Sequence, residues 1–90
     1  MDPLIKLNQP IDVIASFKRT GNSVKVMPLR MRYGSRDIAF TRLGLCHPVR
    51  HGNQLHYIFD VSDGCNDYSL DLDVSTLTWT LVAVIDGGNL

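Results

Sequence analysis

Two arginines at alternate positions of a strand make a short cationic row, and Arg30-Met31-Arg32 has that form. Residues two apart on a strand share one face and stand about 6.5–7 Å apart. The guanidinium is a planar fork that donates two hydrogen bonds to two oxygens, which suits phosphate. Tyr33 follows the row, Arg36 lies across a Gly34-Ser35 turn signal, and Arg42 comes in the next segment. Arg30, Arg32, Tyr33, Arg36 and Arg42 are therefore the candidate binding surface. A solvated strand face is the simpler reading of the same residues, because acids elsewhere in the chain can neutralise it.

Cys46, His47, His51, His56 and Cys65 carry the nitrogen and sulfur donors that zinc takes. Their spacing fits no paired zinc signature, and the sequence has no C-x-x-C. No metal is expected. Asp60, Asp63 and Asp67 supply the carboxylate type that a calcium loop requires, but the order is wrong and Glu is absent from the chain. Asp63-Gly64 and Asn66-Asp67 are ordinary turn chemistry. Covalent catalysis needs a nucleophile, a base and an orienting group. Cys46 and His47 are adjacent, so within a strand they would point to opposite faces. The sequence has no G-x-S-x-G, no phosphate loop and no G-x-G-x-x-G. No catalytic residue and no cofactor are assigned, and the expectation is a protein that is not an enzyme.

Charge is the most uneven property of the chain. All nine Lys and Arg lie in residues 1–50 with three Asp, giving +6; residues 51–90 carry six Asp and no cation, giving −6. Two opposed blocks favour a polar surface or self-complementary association. In a closing meander early and late strands meet, so the blocks are expected to pair within the molecule.

Ninety residues with an apolar fraction of 44% make one folded domain with a thin core. No apolar run approaches ~18 residues and no leader pattern opens the chain. A cytoplasmic protein with no membrane contact and two reduced thiols is the corresponding expectation, although a Cys46–Cys65 bridge stays open.

Period-two alternation predicts six strands. The first runs through Ile11, Val13, Ala15 and Phe17, with Ile14 breaking the pattern as if the second face were partly covered. The second is Val24 to Tyr33, with Pro28 marking a bulge that shifts the phase by one residue. The third spans about Arg36 to Leu45, after a Gly-X hairpin. Residues 46–53 read as a loop because of Pro48 and Gly52-Asn53. Strands through Leu55–Val61, Tyr68–Val74 and Leu77–Ile85 complete the set, with Trp79 as a core anchor. Residues 1–9 read as an irregular segment, 10–86 as the β domain and 87–90 as a tail. The fold expected is all-β, a single small antiparallel meander closing on itself, with two packed sheets as the alternative.

Pro28-Leu29-Arg30-Met31-Arg32-Tyr33-Gly34, Leu45-Cys46-His47-Pro48-Val49-Arg50, Ile58-Phe59-Asp60-Val61-Ser62-Asp63-Gly64 and Leu77-Thr78-Trp79-Thr80-Leu81 carry a resemblance. Together with Pro10 to Phe17 they resemble small bacterial single-domain proteins of unknown function. That resemblance implies an SH3-like small barrel and a bacterial source, and it implies no activity. The functional expectation is a binding module for a protein partner or for itself, with a homodimer included. The alternative is a nucleic-acid accessory domain using the arginine-rich strand.

Overall fold

The alternating pattern is realised as seven strands: β1 (Leu4–Thr20), β2 (Ser23–Tyr33), β3 (Arg36–Ala39), β4 (Arg42–His51), β5 (Gln54–Ser62), β6 (Asn66–Asp73) and β7 (Thr78–Asp86). The computed structural model describes residues 4–86. All pairings are antiparallel, in the order β3-β2-β1-β7-β6-β5-β4. The sheet curls into a small, half-closed barrel. None of the described residues forms a helix long and apolar enough to cross a membrane.

β1 organises the curl. Seventeen residues would reach ~56 Å if straight, at about 3.3 Å per residue. The longest dimension of the molecule is 41 Å, so β1 has to bend. It does so while changing partners: its first part pairs with β7 as far as Ile11↔Trp79, and Asp12 to Thr20 pair with β2. The segment 1–9, expected to be irregular, is therefore corrected from Leu4 onward. Its irregularity is a bulge between Lys6 and Gln9, where Asn8 has φ 49°. Asparagine tolerates that left-handed conformation better than most residues. Residues 87–90 lie outside the described residues.

The strand count also changes. The expected third strand stops at Ala39, and the expected loop 46–53 is mostly the edge strand β4. The break at Phe40-Thr41 is the corner where the chain crosses from one edge of the sheet to the other. Phe40 N–H donates to the Leu29 carbonyl of β2 at 2.9 Å, and Thr41 N–H to the Ser62 carbonyl of β5 at 2.8 Å. One dipeptide thus stitches the two edges together, and the Phe40 ring meets Tyr68 of β6 at 6.0 Å between centroids. Pro48 is compatible with β4 because β4 is an edge. The two-residue Gly52-Asn53 turn makes His51↔Gln54 the hydrogen-bonded closing pair. Residues 49 and 47 then bond β5, and the missing donor of Pro48 faces outward.

The expected bulge at Pro28 is present. Ile14 faces Arg30 and Ala15 faces Pro28, so Leu29 is the extra residue. Val26 and Pro28 before it, and Met31 and Tyr33 after it, all turn toward the interior. The buried core is Met31, Ile38, Phe59, Val61, Tyr68, Leu70, Leu72, Trp79 and Leu81. Trp79 is 8% exposed and its ring stands 5.4 Å from that of Phe59. Leu77 does not share its phase: it is 62% exposed with φ 58°, inside the β6–β7 turn.

Candidate binding surface

β2 and β3 separate the five arginine-region residues. Arg30 and Arg32 share the outer face of the sheet and are exposed. Tyr33 and its cross-strand partner Arg36 belong to the opposite, core-side face with Met31 and Ile38. Arg36 lies close enough to Tyr68 for its charge to favour ionisation of that phenol, although burial and the Asp63 hydrogen bond push the Tyr68 pKa up overall. Arg42 sits on the far edge strand opposite Ser62, in a cleft of about 320 Å³ with Asp60 and Asp67. The candidate set is therefore three locations and not one surface.

Within the outer face the two arginines have different neighbours. Arg32 stands between Asp12 of β1 and Asp37 of β3, and its Nη1 is 3.8 Å from Asp37 Oδ1. That acid–base–acid row neutralises it. Arg30 is flanked by Ile14 and Ala39 and has no acid in its row. Further along the same face Lys18 is directly opposite Lys25, an unfavourable like-charge pair.

The expected pairing of the +6 and −6 blocks forms no ion pair among the described residues, although Arg42 shares its cleft with Asp60 and Asp67. Among the described residues, Arg32–Asp37 joins two members of the basic block and His56–Asp71 two members of the acidic block. The meander places β1, β2 and β3 on one flank of β7 and β6, β5 and β4 on the other. Basic β2 is thereby three places from acidic β6.

The histidine and aspartate candidates resolve into structural contacts. His56 Nδ1 and Asp71 Oδ1 are 2.7 Å apart on the outer face, and the His51 ring meets that of His56 edge-on at 5.1 Å. Among the described residues no three His, Cys, Asp or Glu side chains are placed to hold a metal ion. Cys46 and Cys65 are both exposed and no disulfide joins them. Asp63 closes the β5–β6 turn, accepting from the backbone N–H of Cys65 and Asn66 at 2.8 Å each and from the Tyr68 hydroxyl at 2.8 Å. Burial pushes this carboxyl up, but the three hydrogen bonds outweigh it and hold its pKa below the ordinary aspartate value.

Sequence reading missed the apolar residues left in water. Ile14 is 60% and Phe17 55% exposed. With Leu77 they border an open groove of about 660 Å³ whose lining includes Ile11, Val13, Ala15 and Trp79. The groove exists because β7 ends beside Ile11 while β1 runs on to Thr20. The break in alternation at Ile14 was the available signal. No family model matches this chain, and no curated protein or solved structure matches it.

Proposed function

We propose that this chain is a non-enzymatic binding module that works through protein–protein contact, self-association included. The observation that carries this reading is a stretch of β1 with one edge unpaired among the described residues, bordered by Ile14, Phe17 and Leu77, all exposed. Small β domains bind partners by lending such an edge to a further strand. The half-closed barrel supports a small-barrel architecture of the SH3-like kind, while the cytoplasmic and bacterial readings rest on the sequence alone.

Nucleic-acid binding is the second reading, favoured by the Lys18↔Lys25 pair and by the acid-free row of Arg30. Dispersal of Tyr33, Arg36 and Arg42 away from Arg30 weakens it. Cross-linking with mass spectrometry in host extract, using wild type and the Ile14→Lys/Phe17→Lys variant, tests the choice. A protein contact, to self or to another chain, that maps to β1 and is lost in the variant supports the module. Submicromolar nucleic-acid binding lost in Arg30→Ala/Arg32→Ala overturns it in favour of the second reading.

A further inference from the structure

We propose that the chain pairs with a second copy of itself along the open edge of β1, with Phe17 opposite Phe17 of the second copy. This rests on the protein-contact reading above and names its partner.

β1 has two edges, and from Asp12 to Thr20 only one of them is used. The two-residue Gly21-Asn22 turn, with Gly21 at φ 63°, makes Thr20↔Ser23 the hydrogen-bonded closing pair. Lys18 and Ser16 therefore bond β2, and Ala15, Phe17 and Arg19 direct their N–H and C=O groups to the other side. Among the described residues, that side carries no strand. An unpaired edge beside exposed apolar side chains is the arrangement that pairs with another chain unless something guards it.

The other edges are shorter or interrupted, and the stretch of β2 that β3 leaves uncovered, Ser23 to Pro28, carries Lys25 and ends on a proline. β3 is four residues long. β4 carries Pro48, a register break between Leu43 and Cys46, and Arg42 and Arg50. β1 is covered by β7 only as far as Ile11, and beyond it the edge has Lys18 and Arg19 but no proline.

A two-fold, strand-to-strand contact is isologous, so one pairing fixes the rest. The second copy runs antiparallel and brings its own Gly21-Asn22 tip toward β7. Phe17 opposite Phe17 sets that tip beside Val13, the first place clear of Thr78. Centring the pair on Ser16 instead would drive the tip into Trp79, which already faces Ile11. Centring it on Lys18 or Arg19 would set like charges directly opposite, which is destabilising. The Phe17 register places Lys18 against Ser16 and Arg19 against Ala15, a long cationic side chain beside a small neutral one each time. Ile14 then faces Thr20, which covers the residue whose apolar character broke the strand pattern. Backbone N–H and C=O groups are exchanged at Phe17/Phe17 and at each Ala15/Arg19 pair.

The contact gathers Lys18 and Lys25 of both copies on one face. Their repulsion is screened by salt, so association tightens as ionic strength rises. A head-to-tail contact between the acidic and basic flanks would behave oppositely.

Sedimentation velocity of the full chain over a wide concentration range, at low and high salt, measures association. Disulfide trapping locates it: Ser16→Cys/Lys18→Cys in a Cys46→Ser/Cys65→Ser background, with Thr20→Cys in the same background as control. We expect a salt-strengthened dimer, weakened by about tenfold or more in Phe17→Lys, and an oxidised dimer from the paired cysteines but not from Thr20→Cys. Phe17 is exposed, so Phe17→Lys keeps the circular dichroism spectrum of the wild type; Phe17→Thr, which retains a strand-forming residue, repeats the test if it does not. A chain that stays monomeric throughout overturns the inference and leaves contact with a different protein standing. A dimer weakened by salt, or indifferent to Phe17→Lys, places the contact elsewhere and also overturns it.

Discussion

At the scale of single residues, burial and hydrogen bonding decide what each side chain contributes. Trp79 fills the interior against Phe59 and is nearly enclosed. Trp79→Ala removes that packing and leaves a cavity, so it should cost roughly 3–5 kcal/mol, most of the stability of a small domain. Urea denaturation measures this, and a loss under about 1 kcal/mol would contradict the packing. Asp63 acts through hydrogen bonds and not through packing. Its pKa is lowered in the folded state, so its stabilisation is present above the ordinary carboxylate pKa of about 3.9 and is lost as pH falls through the lowered value. Asp63→Ala should cost about 1–2 kcal/mol at neutral pH, because two N–H groups and the Tyr68 hydroxyl lose their acceptor. The gap between variant and wild type should close on acidification to about pH 2. Denaturation curves at neutral and acid pH check it, and a gap that does not narrow would show that the carboxylate charge is not what the turn uses.

At the scale of elements, legibility in the sequence followed the strength of local constraint. β5, β6 and most of β7 were readable because Leu55 to Val61, Tyr68 to Leu72 and Trp79 to Ala83 alternate cleanly over one core-side face. The Pro28 bulge was readable because proline and a phase shift coincided. β4 was not, since Pro48 and the histidines look like loop chemistry unless the strand is known to lie at an edge. The first residues of β1 were hidden for a similar reason: Asn8 and Pro10 suggest irregular chain, and only pairing with β7 makes them strand. The β6–β7 turn shows local preference overridden outright. Leu77 N–H bonds the Asp73 carbonyl at 2.7 Å and holds Leu77 in the left-handed region, at a cost of roughly 1–2 kcal/mol for a residue with a β-carbon. Leu77→Gly should therefore be neutral or stabilising by up to about 1 kcal/mol, despite removing a large apolar side chain, because that side chain is mostly in water. A thermal unfolding midpoint several degrees below wild type would show that the Leu77 side chain packs more than its exposure implies.

At the scale of the whole molecule, the topology keeps most of the two charge blocks apart and brings them together at β4, where Arg42 shares a cleft with Asp60 and Asp67. A meander joined at the Phe40-Thr41 corner returns its ends to each other, yet basic β2 and acidic β6 remain on opposite flanks of β1 and β7. The arginine candidates were visible in the sequence, but their faces depended on the Gly34-Ser35 hairpin register and on the corner, which period-two patterning does not contain. Two consequences can be separated by salt. Exposed ion pairs contribute about 0–1 kcal/mol each, and Arg32–Asp37 at 3.8 Å is such a pair, so the unfolding free energy of the monomer should change little between low and high salt. Nucleic acid would meet Arg30 with the Lys18/Lys25 pair, while Arg32 has Asp12 and Asp37 on either side of it in its row. A patch of so few free cations belongs to the nonspecific range, so affinity should be no better than roughly 10⁻⁴–10⁻⁶ M at physiological salt. Fluorescence anisotropy with single- and double-stranded oligonucleotides across a salt series measures this. Replacing Arg30 should weaken that binding more than replacing Arg32, because only Arg30 lacks an acidic neighbour in its row. Equal losses would mean that Asp12 and Asp37 do not neutralise Arg32, and submicromolar affinity would make the outer face of β1 and β2 a nucleic-acid surface in its own right.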